Sequence, residues 1–100
     1  MRRDSIMIIN FKSDETRLIF DSFTSRYYPP DIQKIALRKL LLIDAATSVN
    51  DLRIPPGNRL EKLVGDRNGQ YSIRINDQWR ICFVWTDENN ADHVEIVDYH

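Results

Sequence analysis

GNRLEKLVGDRNGQYSIRINDQWRICF, Gly57 to Phe83, decides the fold, because turn signals, alternating strands and evenly scattered arginines crowd into it. From Gln70 to Asn76 the side chains Tyr71, Ile73 and Ile75 fall on one face and Ser72, Arg74 and Asn76 on the other. That period of two is the pattern of a half-buried strand. After the turn Asn76-Asp77-Gln78, the run Trp79 to Trp85 sets Trp79, Ile81, Phe83 and Trp85 against Arg80, Cys82 and Val84. A tight hairpin is the natural connection. The tail VEIVDYH, Val94 to His100, alternates in the same way and reads as the final strand and partner of this hairpin.

Working outward, Gly65 to Gly69 is a turn with glycine at both ends, and Arg59 to Leu63 is a short strand before it. Ile54-Pro55-Pro56-Gly57-Asn58 is a loop, since proline interrupts both helices and central strands. Ser48 to Leu52 reads as one capped turn. Upstream, Ile35, Ala36, Leu40 and Ile43 form an apolar stripe, widened by Leu41 and Leu42, that predicts the longest helix. Pro29-Pro30-Asp31 starts it, proline being tolerated in a first turn, and it ends near Ala46. A shorter helix is expected over residues 14–25, capped by Ser13 or Asp14, with Leu18, Ile19 and Phe23 at helical spacing. Residues 6–11 have strand composition, and residues 1–6 read as an extension ahead of the domain. The expectation is a single α+β domain spanning residues 1–100, with two N-terminal helices on one face of a small, mostly antiparallel sheet.

Composition bounds the function. The chain has 100 residues, 42% apolar and 29% charged, with net charge −1. That is the size of one domain with one core. A near-neutral chain does not grip nucleic acid by bulk charge. The average hides a gradient: Arg53, Arg59, Lys62, Arg67, Arg74 and Arg80 dominate the middle, whereas Asp87, Glu88, Asp92, Glu95 and Asp98 occupy the end without a lysine or arginine. No apolar run is long enough for a membrane helix or a signal peptide, which places the protein in the cytoplasm, away from membranes. Cys82 is the single cysteine and reads as a packed side chain.

Phosphate-binding loops, dinucleotide fingerprints and the spacings of zinc sites are missing from the sequence. The chemistry expected is therefore acid-base work without metal or cofactor, or simple binding. Arg74 and Arg80 sit on the face opposite the apolar set, either as surface ion-pair partners or as forks for a phosphate. Trp79 and Tyr71 share the apolar parity and read as packing rather than base-stacking platforms. His100 closes the sequence beside its own carboxylate, with Asp98 on the same side by parity, and nearby anions favour a protonated imidazole able to donate near neutral pH. His93 sits near the acidic turn and is assigned no role.

Arg59-Leu60-Glu61, Gly65-Asp66-Arg67, Gly69-Gln70-Tyr71-Ser72-Ile73, Trp79-Arg80-Ile81 and Asp98-Tyr99-His100 resemble the HigB toxins of the RelE/ParE superfamily, essentially throughout from Met7. The resemblance implies a RelE-like fold and a ribosome-dependent endoribonuclease that enters the A site and cuts the bound mRNA. The implied reaction drives a ribose 2′-hydroxyl onto its own phosphate, and the implied partner is a HigA-like helix-turn-helix antitoxin, which would carry the toxin indirectly to operator DNA. On this likeness Arg80 would stabilise the phosphate, Asp98, Tyr99 and His100 would orient the nucleotide and move protons, and Arg59, Arg74, Lys62 and Arg67 would contact RNA phosphates. Some members carry histidine where this chain has Glu61, so Glu61 would have to serve as the base or His100 act alone. With the low net charge, modest cleavage is expected. The rival readings are a ParE-like toxin that inhibits gyrase without catalysis and a co-repressor that has lost toxicity.

Overall fold

The computed structural model describes residues 8–98. Helix α1 spans Asp14–Phe20 and α2 spans Pro30–Ala45. Four strands follow: β1 Glu61–Lys62, β2 Gln70–Arg74, β3 Trp79–Trp85 and β4 Ala91–Asp98. They form one antiparallel meander in the order β1-β2-β3-β4. Two helices and a four-stranded antiparallel sheet make the small α+β, RelE-like fold expected.

Each helix follows from its pattern. Ser13 caps α1 by accepting the Thr16 N–H on its hydroxyl at 3.1 Å, with Asp14 and Glu15 complementing the positive end of the helix dipole. In α2, Ile32, Ala36, Leu40 and Ile43 recur every three or four residues and are all buried. They pack with Ile73, Ile81, Phe83, Val94 and Ile96 from the sheet into one core. Trp79 lies edge-on to Tyr28, and Tyr71 stacks on Phe83, so both rings serve packing as expected.

Five boundaries differ from the sequence reading, the first being the start of β4 at Ala91, three residues ahead of Val94. Helix α1 stops at Phe20 rather than near residue 25: Ser22 is left-handed, with φ 71°, and Ser25 is held by Glu15 and Gln33 in a folded-back loop. The strand expected over Arg59 to Leu63 is only Glu61–Lys62, because Arg59 is also left-handed, with φ 46°. Strand β2 ends at Arg74, two residues early, since Asn76 turns the chain by accepting the Gln78 and Trp79 N–H groups. The expected first strand over residues 6–11 lies partly outside the described residues. Within them, Ile8 and Phe11 make parallel bridges to Ala91 and Val94 and cover the outer edge of β4.

The face of the sheet turned away from the helices is not a plain solvent face. Ser72 and Cys82 on it are fully buried. Across them Arg67 donates to Glu95 at 3.1 Å, and Lys12 approaches the same carboxylate at 3.5 Å. Burial pushes the Cys82 thiol pKa up. Among the described residues no helix is long and apolar enough to cross a membrane.

Candidate phosphate-binding site

The hairpin joining β2 to β3 places Arg74 directly opposite Arg80, so the two arginines stand side by side on the second face of the sheet. Two guanidinium groups at such a distance repel, and something must fix them. Arg80 is fixed by acceptors: Nε donates to the Ser72 hydroxyl at 2.8 Å and Nη2 to the Arg59 carbonyl at 2.7 Å, with the Ser72 carbonyl 3.4 Å away. Its side chain is only 12% exposed, and the Glu61 carboxylate on β1 lies 3.8 Å from it. Arg74 is clamped to Asp77 in the turn at 2.6 Å, and the guanidinium holds the Asp77 pKa below the ordinary carboxylate value.

These groups line an open cavity of about 430 Å³ walled by Gly57, Arg59, Arg74, Asn76, Asp77 and Arg80. Three arginines and one aspartate converge on a space large enough for a phosphodiester, and planar guanidinium forks match phosphate oxygens two at a time. Lys39 stands nearby on α2. Burial, then the charges of Arg38 and Arg74, lower its pKa.

Of the residues singled out in the sequence, the structure therefore brings Arg59, Arg74, Arg80 and Glu61 together. Arg67 is engaged with Glu95 and Gln70, and Lys62 is exposed on β1; neither lines the cavity. Asp98 pairs with Trp79 in the β3–β4 register, whereas Arg80 pairs with Val97. Neighbouring positions on a strand point to opposite faces, so Asp98 belongs to the Trp79 side, where its carboxylate accepts from Gln78 at 3.1 Å. Tyr99 and His100 lie outside the described residues. His93 is an exposed neighbour of Asp92 at 3.2 Å. Sequence reasoning missed Ser72 and Asn58; the parity of Ser72 with Arg74 and Arg80 was a usable signal, whereas an asparagine in a proline-glycine loop carries none.

A family model described as the RelE-like toxin of type II toxin-antitoxin system HigB matches residues 9–100. The chain belongs to the HigB-like toxins. It is 43% identical over 82 residues to Toxin HigB-1 of Vibrio cholerae serotype O1, covering 81% of this chain and 86% of that protein. It is 35% identical over 95 residues to Endoribonuclease HigB of Proteus vulgaris, covering 94% of this chain and 100% of that protein. An uncharacterized protein of Haemophilus influenzae is 35% identical over 102 residues, covering 93% of this chain and 96% of its own length. Membership of the HigB-like toxins implies an antitoxin partner. In this toxin, Arg59, Arg74 and Arg80 share the wall of one cavity.

Proposed function

We propose that this HigB-like toxin is an endoribonuclease that cuts ribosome-bound mRNA by attack of a ribose 2′-hydroxyl on the adjacent phosphate, and that a HigA-like helix-turn-helix antitoxin neutralises it. The observation that carries the reading is the Arg80 guanidinium, held by Ser72 and the Arg59 carbonyl beside two further arginines on one cavity. The Proteus vulgaris relative, named an endoribonuclease, supports it.

The electrostatics suit the reaction. As the 2′-oxygen bonds to phosphorus, the phosphodiester's single negative charge grows toward two, and the 5′-oxygen then leaves. Donors already fixed in place stabilise that added charge without reorganising, and removing one such donor typically costs about 100- to 1,000-fold in rate. Arg80 would meet the phosphate, with Arg59 and Arg74 flanking it. A base must take the 2′-proton and an acid must supply the leaving oxygen. Glu61, facing Arg80, is the candidate base. Tyr99 and His100 are the candidates for holding the nucleotide and returning the proton, whereas Asp98, on the Trp79 side of the sheet, could reach the cavity only around the sheet end.

Primer extension on mRNA, with and without ribosomes, tests the proposal. New 5′ ends are expected only with ribosomes and only with an intact Arg80, and Arg80→Ala should abolish them. Unchanged 5′ ends from the wild-type toxin overturn it, and inhibition of gyrase with intact mRNA would favour a binding poison instead.

A further inference from the structure

Asn58 stands at the root of the arginine loop. It is fully buried although it lies between exposed Gly57 and exposed Arg59. Its side chain uses every polar atom it has. Nδ2 donates to the carbonyls of Leu52 at 3.1 Å and Ile54 at 3.3 Å, and Oδ1 accepts from Lys39 Nζ at 2.5 Å. One carboxamide thereby ties α2, the turn at 49–53 and the loop at 54–59 together. The residue that follows is left-handed: Arg59 has φ 46° and ψ 56°, a conformation that a side chain bearing a Cβ resists. That turn does two things. It directs the Arg59 carbonyl at Arg80 Nη2, 2.7 Å away, and it sets Arg59 in the wall of the cavity.

We infer that Asn58 is a positioning residue for Arg80: its buried hydrogen bonds hold the left-handed turn of Arg59 and so keep the guanidinium facing the cavity. The alternative is that Asn58 merely fills a loop, with Arg80 indifferent to it. The geometry favours the first, since the strained residue and the carbonyl that engages Arg80 are the same residue, directly adjoining the anchor. The consequence for RNA rests on the proposed function; the coupling between Asn58 and Arg80 does not.

The test therefore reads Arg80 at the atom concerned, through exchange of its Nη2 protons, which donate to the Arg59 carbonyl, followed by 1H–15N NMR on the folded toxin at low temperature. In Asn58→Ala those protons should exchange about 10-fold faster, the loss expected when a charged donor's hydrogen-bonded position is released. The backbone amides of Ile73 and Ile81 should be unmoved. Glycine adopts positive φ freely. In an Arg59→Gly background the turn needs no anchor, so adding Asn58→Ala should change Arg80 exchange less than about threefold. Equal losses in both backgrounds, or no loss in either, overturn the inference, as does loosening that spreads evenly through β2 and β3. Should Asn58→Ala not fold, Lys39→Met decides the matter: it strips Asn58 Oδ1 of its donor and should speed Arg80 exchange severalfold, and unchanged exchange counts against the proposal. Affinity for a short RNA with 2′-deoxy at the cut site is the functional arm, expected to fall in Asn58→Ala. A wild-type toxin that cuts no RNA would sink the proposed function while leaving the exchange result to judge Asn58.

Discussion

Ile96 on β4 donates its backbone N–H to the hydroxyl of Thr16 on α1 at 3.0 Å, across 80 positions of sequence. Thr16 Oγ1 lies 3.0 Å from the Tyr28 hydroxyl, which in turn donates to the Ile96 carbonyl at 3.4 Å. The three groups close a ring that satisfies both polar atoms of Ile96 where the bridges from Ile8 and Phe11 have ended. This is how the helical layer seals the open edge of the sheet.

Thr16→Val keeps the shape and removes the hydroxyl. It leaves the buried Ile96 N–H without an acceptor, which should cost about 1–3 kcal/mol. For a chain of this size the melting temperature should fall on the order of 10 °C. Thr16→Ser retains the hydroxyl and should recover most of the loss. Calorimetry of the two variants checks this, and equal melting temperatures for valine and serine would show the ring to be worthless.

The ring was not readable in the sequence, and the reason is instructive. Ser13 and Glu15 signalled the start of α1, but nothing marked Thr16 as more than an early helical position. Local periodicity was legible where one face meets the core throughout, as in Ile32, Ala36, Leu40 and Ile43, or in Ile73, Ile81 and Phe83. It misled at Phe23, which keeps helical spacing with Ile19 yet is 64% exposed beyond the end of α1. At the site, strand parity put Arg74 and Arg80 on the face opposite the apolar set, and the β2–β3 register sets them opposite each other. Parity also assigned Ser72 and Cys82 to the outward face, but it does not show that charged side chains cover them. The placement of Asp98 beside Trp79 depends on β3–β4 register, a long-range pairing, and the contribution of Asn58 depends on loop geometry.

Ser72 and Arg80 are diagonal neighbours across β2 and β3, and the hydroxyl of one fixes the guanidinium of the other at 2.8 Å. Ser72→Ala should cost about 1–3 kcal/mol in stability, since the largely buried Arg80 guanidinium loses one of its acceptors. On the proposed function it should also lower RNA cleavage by more than the lost folded fraction explains. Arg80→Lys should do worse than Ser72→Ala in cleavage, because one ammonium cannot reach Ser72, the Arg59 carbonyl and a phosphate together. Urea melts paired with single-turnover cleavage separate the two effects. A lysine variant as active as wild type would remove Arg80 from the chemistry.

On the proposed function, Asp77, which holds Arg74 at 2.6 Å, would compete with an incoming phosphate for that arginine. Its pKa is held below the ordinary value by the hydrogen bond and charge of Arg74, so it remains ionised at neutral pH. The sign follows: whatever this pair adds to stability is present above the usual carboxylate pKa near 3.9 and is lost as pH falls through the lower folded value. Asp77 is fully exposed, so that contribution is screened. Asp77→Asn should leave folding nearly unchanged while tightening RNA binding a few-fold at low salt, with a steeper salt dependence of affinity. Fluorescence titrations at several salt concentrations check it. Weaker binding by the asparagine variant would show that Asp77 orients Arg74 rather than competing for it.

Cys82 supplies a reporter of how the site opens. Its thiol is fully buried beneath the Arg67–Glu95 pair, and burial raises its pKa, which disfavours the reactive thiolate. Two routes to a thiol reagent then differ in how much surface they expose. Labelling through a local breach of the native face exposes little, whereas labelling from an opened chain exposes most of the core. The sheet centre opens only with most of the structure, so the second route should dominate, with labelling on the order of 1,000-fold or more slower than for a free thiol. Adding urea should speed it with a slope matching global unfolding. A slow reaction insensitive to urea would instead mean that Arg67 and Glu95 swing aside while the sheet stays intact.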